Sequence, residues 1–130
     1  MNAFSIIKKV TKEDLDDLDH VNNVVYVKWI QEVSKKHWEK VAQKISTKYI
    51  WVVRRHDITY LDAAKLNDEI TLNTRILDSK GPISFRQVQM INNKTQKTVV
   101  KSITEWCLLN SQTLKPIRVP KTIEDSFKTT

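Results

Sequence analysis

Read for apolar spacing alone, the chain divides into one long helical segment and five strand-like ones. From Asn23 to about Ile45 neither Gly nor Pro occurs, and Val25, Tyr26, Trp29, Ile30, Val33, His37, Val41 and Ile45 fall within one broad arc at about 100° per residue. Lys28, Gln31, Glu32, Lys35 and Glu39 fill a narrow opposite stripe. The arc spans roughly 200°, against the ~100° stripe of a helix lying on the surface of a core. The segment therefore predicts a helix covered on most of its sides. No second helical segment of comparable length occurs, so the cover has to come from strands.

Four runs rich in β-branched and aromatic residues follow: Tyr49–Leu61, Glu69–Leu77, Ile83–Ile91 and Thr98–Leu109. A weaker strand pattern covers Phe4–Val10, ahead of the helix. The polar breaks "DAAKLND", "DSKGP" and "NNKTQK" are too short for crossover helices and predict antiparallel neighbours. Lengths agree as well. A helix of about 23 residues is roughly 35 Å long, and strands of about 9 to 13 residues reach roughly 30 to 43 Å. The expected architecture is α+β, a curved antiparallel sheet of about five strands wrapped around one long central helix. Residues 1–120 form a single domain on this reading, and 121–130 a polar C-terminal tail read as loop and frayed end.

Composition narrows the function. The chain has 130 residues, 40% of them hydrophobic and 28% charged, as in a soluble globular domain, with no apolar run long enough to span a membrane. The N-terminus lacks the order of a secretory signal, so the expected location is the cytoplasm. One cysteine, Cys107, excludes an internal disulfide framework, and three histidines form no cluster at zinc spacing. No metal or cofactor is expected. A single glycine, Gly81, rules out the glycine-rich loops that cradle nucleotide phosphates. The net charge of +7 implies attraction to a polyanion, whether nucleic acid, an acidic carrier protein or a phosphate-bearing small molecule.

The most unusual stretch precedes the helix. Asp14, Asp16, Asp17 and Asp19 crowd into six residues, followed by His20-Val21-Asn22-Asn23 and the apolar run. One aspartate could cap a helix, but four repel one another. Asp16, four residues before His20, then Val21, Asn22, Asn23, Tyr26 and Trp29, resembles the D-x-x-x-H-V-N-N-x-x-Y-x-x-W signature of the hotdog-fold acyl-CoA and acyl-ACP thioesterases related to 4-hydroxybenzoyl-CoA thioesterase. "HDITYLDAAKLNDEI" and "TEWCLLNSQTLKPIRVP" resemble later segments of that family, so the likeness covers roughly residues 5–120. One position departs: Asp19 stands where Gly or Asn is usual, which alters the demands on the turn and adds a charge.

The resemblance implies a hotdog-fold acyl-CoA thioesterase that releases a carboxylic acid and free CoA, or the same chemistry on acyl-ACP. It makes Asp16 the catalytic carboxylate, as general base on water or as nucleophile. On its own, Asp16 would read as a solvated aspartate near a helix start. The oxyanion donor is expected among the unpaired N–H groups of the first helical turn, at Asn23 or Val24. His20 and Asn22 are expected to organise the loop or touch substrate, with helix capping the alternative for Asn22. Tyr26 and Trp29 are core residues first and acyl-pocket lining second. His37 is expected to be a hydrogen-bonded core or interface histidine.

Lys80, Gly81 and Arg86 resemble the place where these enzymes hold the CoA phosphates; the alternative is a plain turn followed by an exposed arginine. The family likeness also implies a homodimer or homotetramer. A non-catalytic hotdog protein that binds acyl-CoA or nucleic acid is the different-class alternative, although no nucleic-acid-reading motif is present.

Overall fold

A computed structural model of the chain describes residues 4–43 and 48–128. The elements are β1 (Phe4–Lys9), a 3-10 turn (Lys12–Asp14), α1 (Asn23–Ala42), β2 (Tyr49–Tyr60), β3 (Glu69–Lys80), β4 (Ile83–Asn92), β5 (Thr98–Asn110) and α2 (Lys121–Lys128). The expected strands are present, and β3 runs on to Lys80 because only Gly81 and Pro82 join it to β4. Gly81 takes φ +54°, the left-handed conformation that a two-residue hairpin of this kind needs at its first position. Of the expected helix, Ile45 lies outside the described residues.

The five strands form one antiparallel sheet in the order β1-β3-β4-β5-β2. This corrects one expectation: β2 and β3 are consecutive but not adjacent, with β5 and β4 lying between them. Three inter-strand gaps amount to roughly 14 Å, and the connection 61–68 is long enough to cross them. Its path crosses the end of the sheet where α1 begins.

Helix α1 lies in the concave face of the sheet and buries Tyr26, Trp29, Ile30, Val33, Ser34, His37 and Val41. These positions span about 140° at ~100° per residue, narrower than the expected arc, with Val25 and Trp38 half-buried at its margins. Two apolar clusters result. One packs the first half of α1 on Ile70, Leu72, Val88, Met90 and Val100, and the other gathers Val41, Leu108, Val119, Ile123 and Phe127. Polar residues from β2, β5, β4 and β3 lie across the concave face: His56, Thr104, Arg86 and Thr74, with a hydrogen bond between His56 Nδ1 and the Thr104 hydroxyl (2.8 Å) and one from Arg86 Nη1 to Thr74 (2.9 Å).

The segment after Lys121 is not a frayed end. Residues Lys121–Lys128 form α2, whose Ile123 and Phe127, one turn apart, are buried in the second cluster. An eight-residue helix is marginal alone, so packing holds it. The approach is tied down by Val119 N–H donating to Gly81 O (2.9 Å) and Ile117 N–H to Leu108 O (3.0 Å), and Ser79 donates to Glu124. We expect Ile123→Ala to lower stability by about 2–5 kcal/mol. Urea unfolding beside the wild type measures it; a loss below about 0.5 kcal/mol would mean that α2 is not part of the cooperative core.

Candidate active site

The acidic stretch before α1 is a tight hairpin. Asp16 N–H donates to His20 O (2.7 Å) and Asp19 N–H to Asp16 O (3.1 Å), leaving a three-residue loop of Asp17, Leu18 and Asp19. Loops of this length end in a residue with positive φ, and Asp19 supplies it at φ +59°. That conformation explains why Gly or Asn suits the position, and Asp is among the few other residues that adopt it.

The four aspartates thus have separate tasks. The Asp14 carboxylate accepts from the N–H (2.9 Å) and hydroxyl (3.1 Å) of Thr11 at the 3-10 turn. Asp16 opens the hairpin, and its Oδ1 accepts from the N–H groups of Leu18 (2.9 Å) and His20 (3.1 Å), the turn-closing role that Asp performs well. Its Oδ2 has no partner among the described residues. Asp17 and Asp19 are exposed.

Asn22 caps α1: its Oδ1 accepts from Val24 N–H (3.0 Å), and its carbonyl accepts from Val25 N–H (2.9 Å). This corrects the expectation for Val24, whose N–H is committed to the cap. Asn23 N–H is left without an acceptor among the described residues. His20 touches Asp16 through its backbone N–H, while its imidazole has no hydrogen-bond partner there. Asp16, His20, Asn22 and Asn23 lie together within one hairpin and one helical turn.

Two residues that sequence reasoning missed hold this arrangement in place. Ala64 O accepts from Val21 N–H (2.9 Å), and Lys65 bridges the backbone of His20, both from the 61–68 crossover. Backbone contacts leave no side-chain signature to find. Around the hairpin, Leu18 and Val24 are 74% and 60% exposed, an apolar rim that periodicity does not explain. Tyr26 and Trp29 lie beneath, both buried, with rings edge-on at 5.7 Å. The Tyr26 hydroxyl lies near the Ala64 backbone without a well-formed hydrogen bond, and burial pushes it up to about 12. Both are core residues here.

Of the three residues expected at the CoA phosphates, Lys80 is exposed beside the β3–β4 turn and Gly81 forms it. Arg86 does not join them. It is 3% exposed, because its register on β4 places it with Ser84, Val88 and Met90 on the concave face. There its Nη1 bonds His37 Nδ1 (3.0 Å) as well as Thr74, and its guanidinium lies 5.3 Å from the Phe127 ring centroid. A guanidinium only donates, so His37 Nδ1 accepts and the imidazole is neutral. Burial, then the charges of Arg86 and Lys40, hold His37 down to about 3.

The family model of the thioesterase-like superfamily matches residues 10–127. The chain belongs to that superfamily. Solved structures agree on the fold of this thioesterase-like protein. A 1,4-dihydroxy-2-naphthoyl-CoA thioesterase from Synechocystis is 12% identical, with a TM-score of 0.82 and 97% of this chain and 96% of that one covered. A probable thioesterase from Bartonella henselae is 20% identical, with a TM-score of 0.78 over 91% and 99%. A Staphylococcus aureus protein solved in complex with CoA is 16% identical, with a TM-score of 0.82 over 98% and 82%. At these identities the likeness establishes the hotdog fold. No curated protein matches the chain.

Two outcomes test this geometry. Asp19→Val, which places a β-branched residue at positive φ, is expected to cost about 1–2 kcal/mol, while Asp19→Gly stays within about 1 kcal/mol of wild type. Equal urea midpoints for Val and Gly would show that the loop does not hold the left-handed turn. The second concerns His37. Its folded value lies below its unfolded one, so between about pH 6.5 and 3 the unfolded state takes up a proton that the folded state refuses, and stability falls as pH falls through that window. The fall should be shallower in His37→Asn, which keeps an acceptor for Arg86. Parallel slopes for the two proteins in urea melts from pH 7 to 4 would contradict a neutral buried His37.

Proposed function

We propose that this thioesterase-like protein hydrolyses an acyl-CoA thioester to a free carboxylic acid and CoA. The observation that carries the reading is the Asp16 carboxylate, fixed through Oδ1 by two backbone N–H groups and with Oδ2 unpartnered, in the same hairpin that leads into the open N–H of Asn23. A thioester needs only an activated water or nucleophile and a site for charge on its carbonyl oxygen. Asp16 takes a proton from water, the oxygen adds to the carbonyl carbon, Asn23 N–H and the helix N-terminus stabilise the oxyanion, and the C–S bond breaks as the thiolate leaves and takes up a proton. Asp16 as nucleophile reaches the same products through a mixed anhydride.

His20 and Asn22 border the substrate carbonyl on this reading, and Lys80 and Gly81 lie where the CoA phosphates would run. The CoA-bound structural neighbour supports the carrier. The +7 charge also suits an acidic carrier protein, which keeps acyl-ACP as the second reading. The protein acts in the cytoplasm as a homodimer or homotetramer; β2 is an edge strand with Ile50 and Val52 exposed, which a second copy would cover.

Free-thiol release over a panel of short, long and aromatic acyl-CoAs and acyl-ACPs tests the activity, and silence across the whole panel would overturn it. With an active substrate in hand, Asp16→Asn is expected to lower kcat by at least ~100-fold while leaving the fold intact by circular dichroism. Turnover close to wild type would remove Asp16 from the mechanism.

A further inference from the structure

At the end of the sheet away from the Asp16 hairpin, beneath the second half of α1, lies a cavity of about 240 Å³. Ser34 of α1 lines it, and eleven residues separate Ser34 from Asn23, roughly 17 Å along the helix axis. The cavity shares no lining residue with the hairpin.

Its walls are aromatic, from Trp38, Trp51, Trp106 and Phe127, and Ser84 and Arg86 supply its polar floor. Arg86 makes hydrogen bonds only through Nη1, to the neutral partners His37 and Thr74. Its other N–H groups have no acceptor, and no carboxylate forms an ion pair with it among the described residues. The indole N–H groups of Trp51 and Trp106 are also without acceptors, but they are fully buried within the walls and do not face the cavity. Burial with no counter-charge pulls Arg86 down to about 9, so it still carries its charge at neutral pH.

A buried cation without a counter-ion is costly to maintain, and so is a buried donor without an acceptor. The lining holds the Arg86 cation and no carboxylate, and it calls for an anion. A guanidinium presents a planar fork that matches a carboxylate. Lys35 adds an exposed second cation to the lining, and the aromatic walls suit an apolar body. The volume lies at the small end for a ligand site, below the roughly 300–1,000 Å³ usual for drug-sized molecules.

We infer that this cavity binds a small organic acid, its carboxylate on Arg86 and its aromatic or short aliphatic body between Trp38, Trp51 and Phe127. The site is independent of hydrolysis at Asp16, so a binding measurement that uses no thioester tests it alone.

Three of the four tryptophans line the cavity, which makes their fluorescence a direct reporter. Titration of the wild-type protein with benzoate, phenylacetate and octanoate, each beside its neutral amide and followed by fluorescence and calorimetry, should show saturable binding of at least one acid. The matching amide should bind at least about tenfold more weakly, and Arg86→Met should weaken the acid by a similar factor. Trp106→Phe, which keeps an aromatic wall and leaves Arg86 in place, should weaken it less. Three results would overturn the assignment: acid and amide binding alike, an acid unaffected by Arg86→Met, or no binding of any of the three acids at millimolar concentration. Should Arg86→Met fail to fold, the acid–amide contrast in the wild type decides.

Discussion

Burial of one face of α1 in the curve of the sheet is the constraint on which the rest of the structure depends. Among the described residues the sheet has five strands, and the helix supplies much of the apolar material that fills its concave side. Because α1 is held along its length, its first turn is also held in space, and a helix N-terminus with an open N–H at Asn23 becomes a fixed feature instead of a fraying one. The hairpin before it inherits that rigidity through the Asn22 cap and the backbone bonds to Ala64 and Lys65.

The concave face is not uniformly apolar. His56, Thr104, Arg86 and Thr74 interrupt it, and the two apolar clusters pack towards opposite ends of α1. The end near Asn23 carries the hairpin with its acidic residues. The other end holds an unneutralised cation among aromatic rings. One helix therefore links two environments of opposite charge demand, which a core filled throughout by aliphatic side chains would not provide.

Much of this is readable from residue order. The β-branched runs marked four strands and a weaker pattern the first, because a strand with one buried face needs alternation and β-branched bulk, as in the alternating burial of Phe4–Lys9 and Ile83–Asn92. Asp16 and the residues around it stood out because a hairpin and a helix cap are local events, written in neighbouring positions. What was illegible is non-local. The separation of β2 from β3 depends on which edge of the sheet is free when β2 pairs, and Arg86 looked like an exposed cation because its partners His37 and Thr74 come from other elements. The helix Lys121–Lys128 was missed because two apolar residues among polar ones are too few to show a period, although Ile123 and Phe127 are enough to anchor one turn.

The crossover from β2 to β3 also governs the order in which the chain can assemble. Strands β3, β4 and β5 form a meander closed by short turns, so they can pair at little cost in loop entropy. The outer strands are different: Tyr49 meets Asn110, and Phe4 meets Thr74, across long stretches of chain. These contacts are slow to form because the intervening chain must be restrained before any pairing rewards it. The backbone bonds from residues 64 and 65 to residues 20 and 21 are likewise long-range and carry the same entropic cost. The Asp16 hairpin, although local, is thus tied to the crossover only late, and its position beside the first turn of α1 is fixed only when folding is essentially complete.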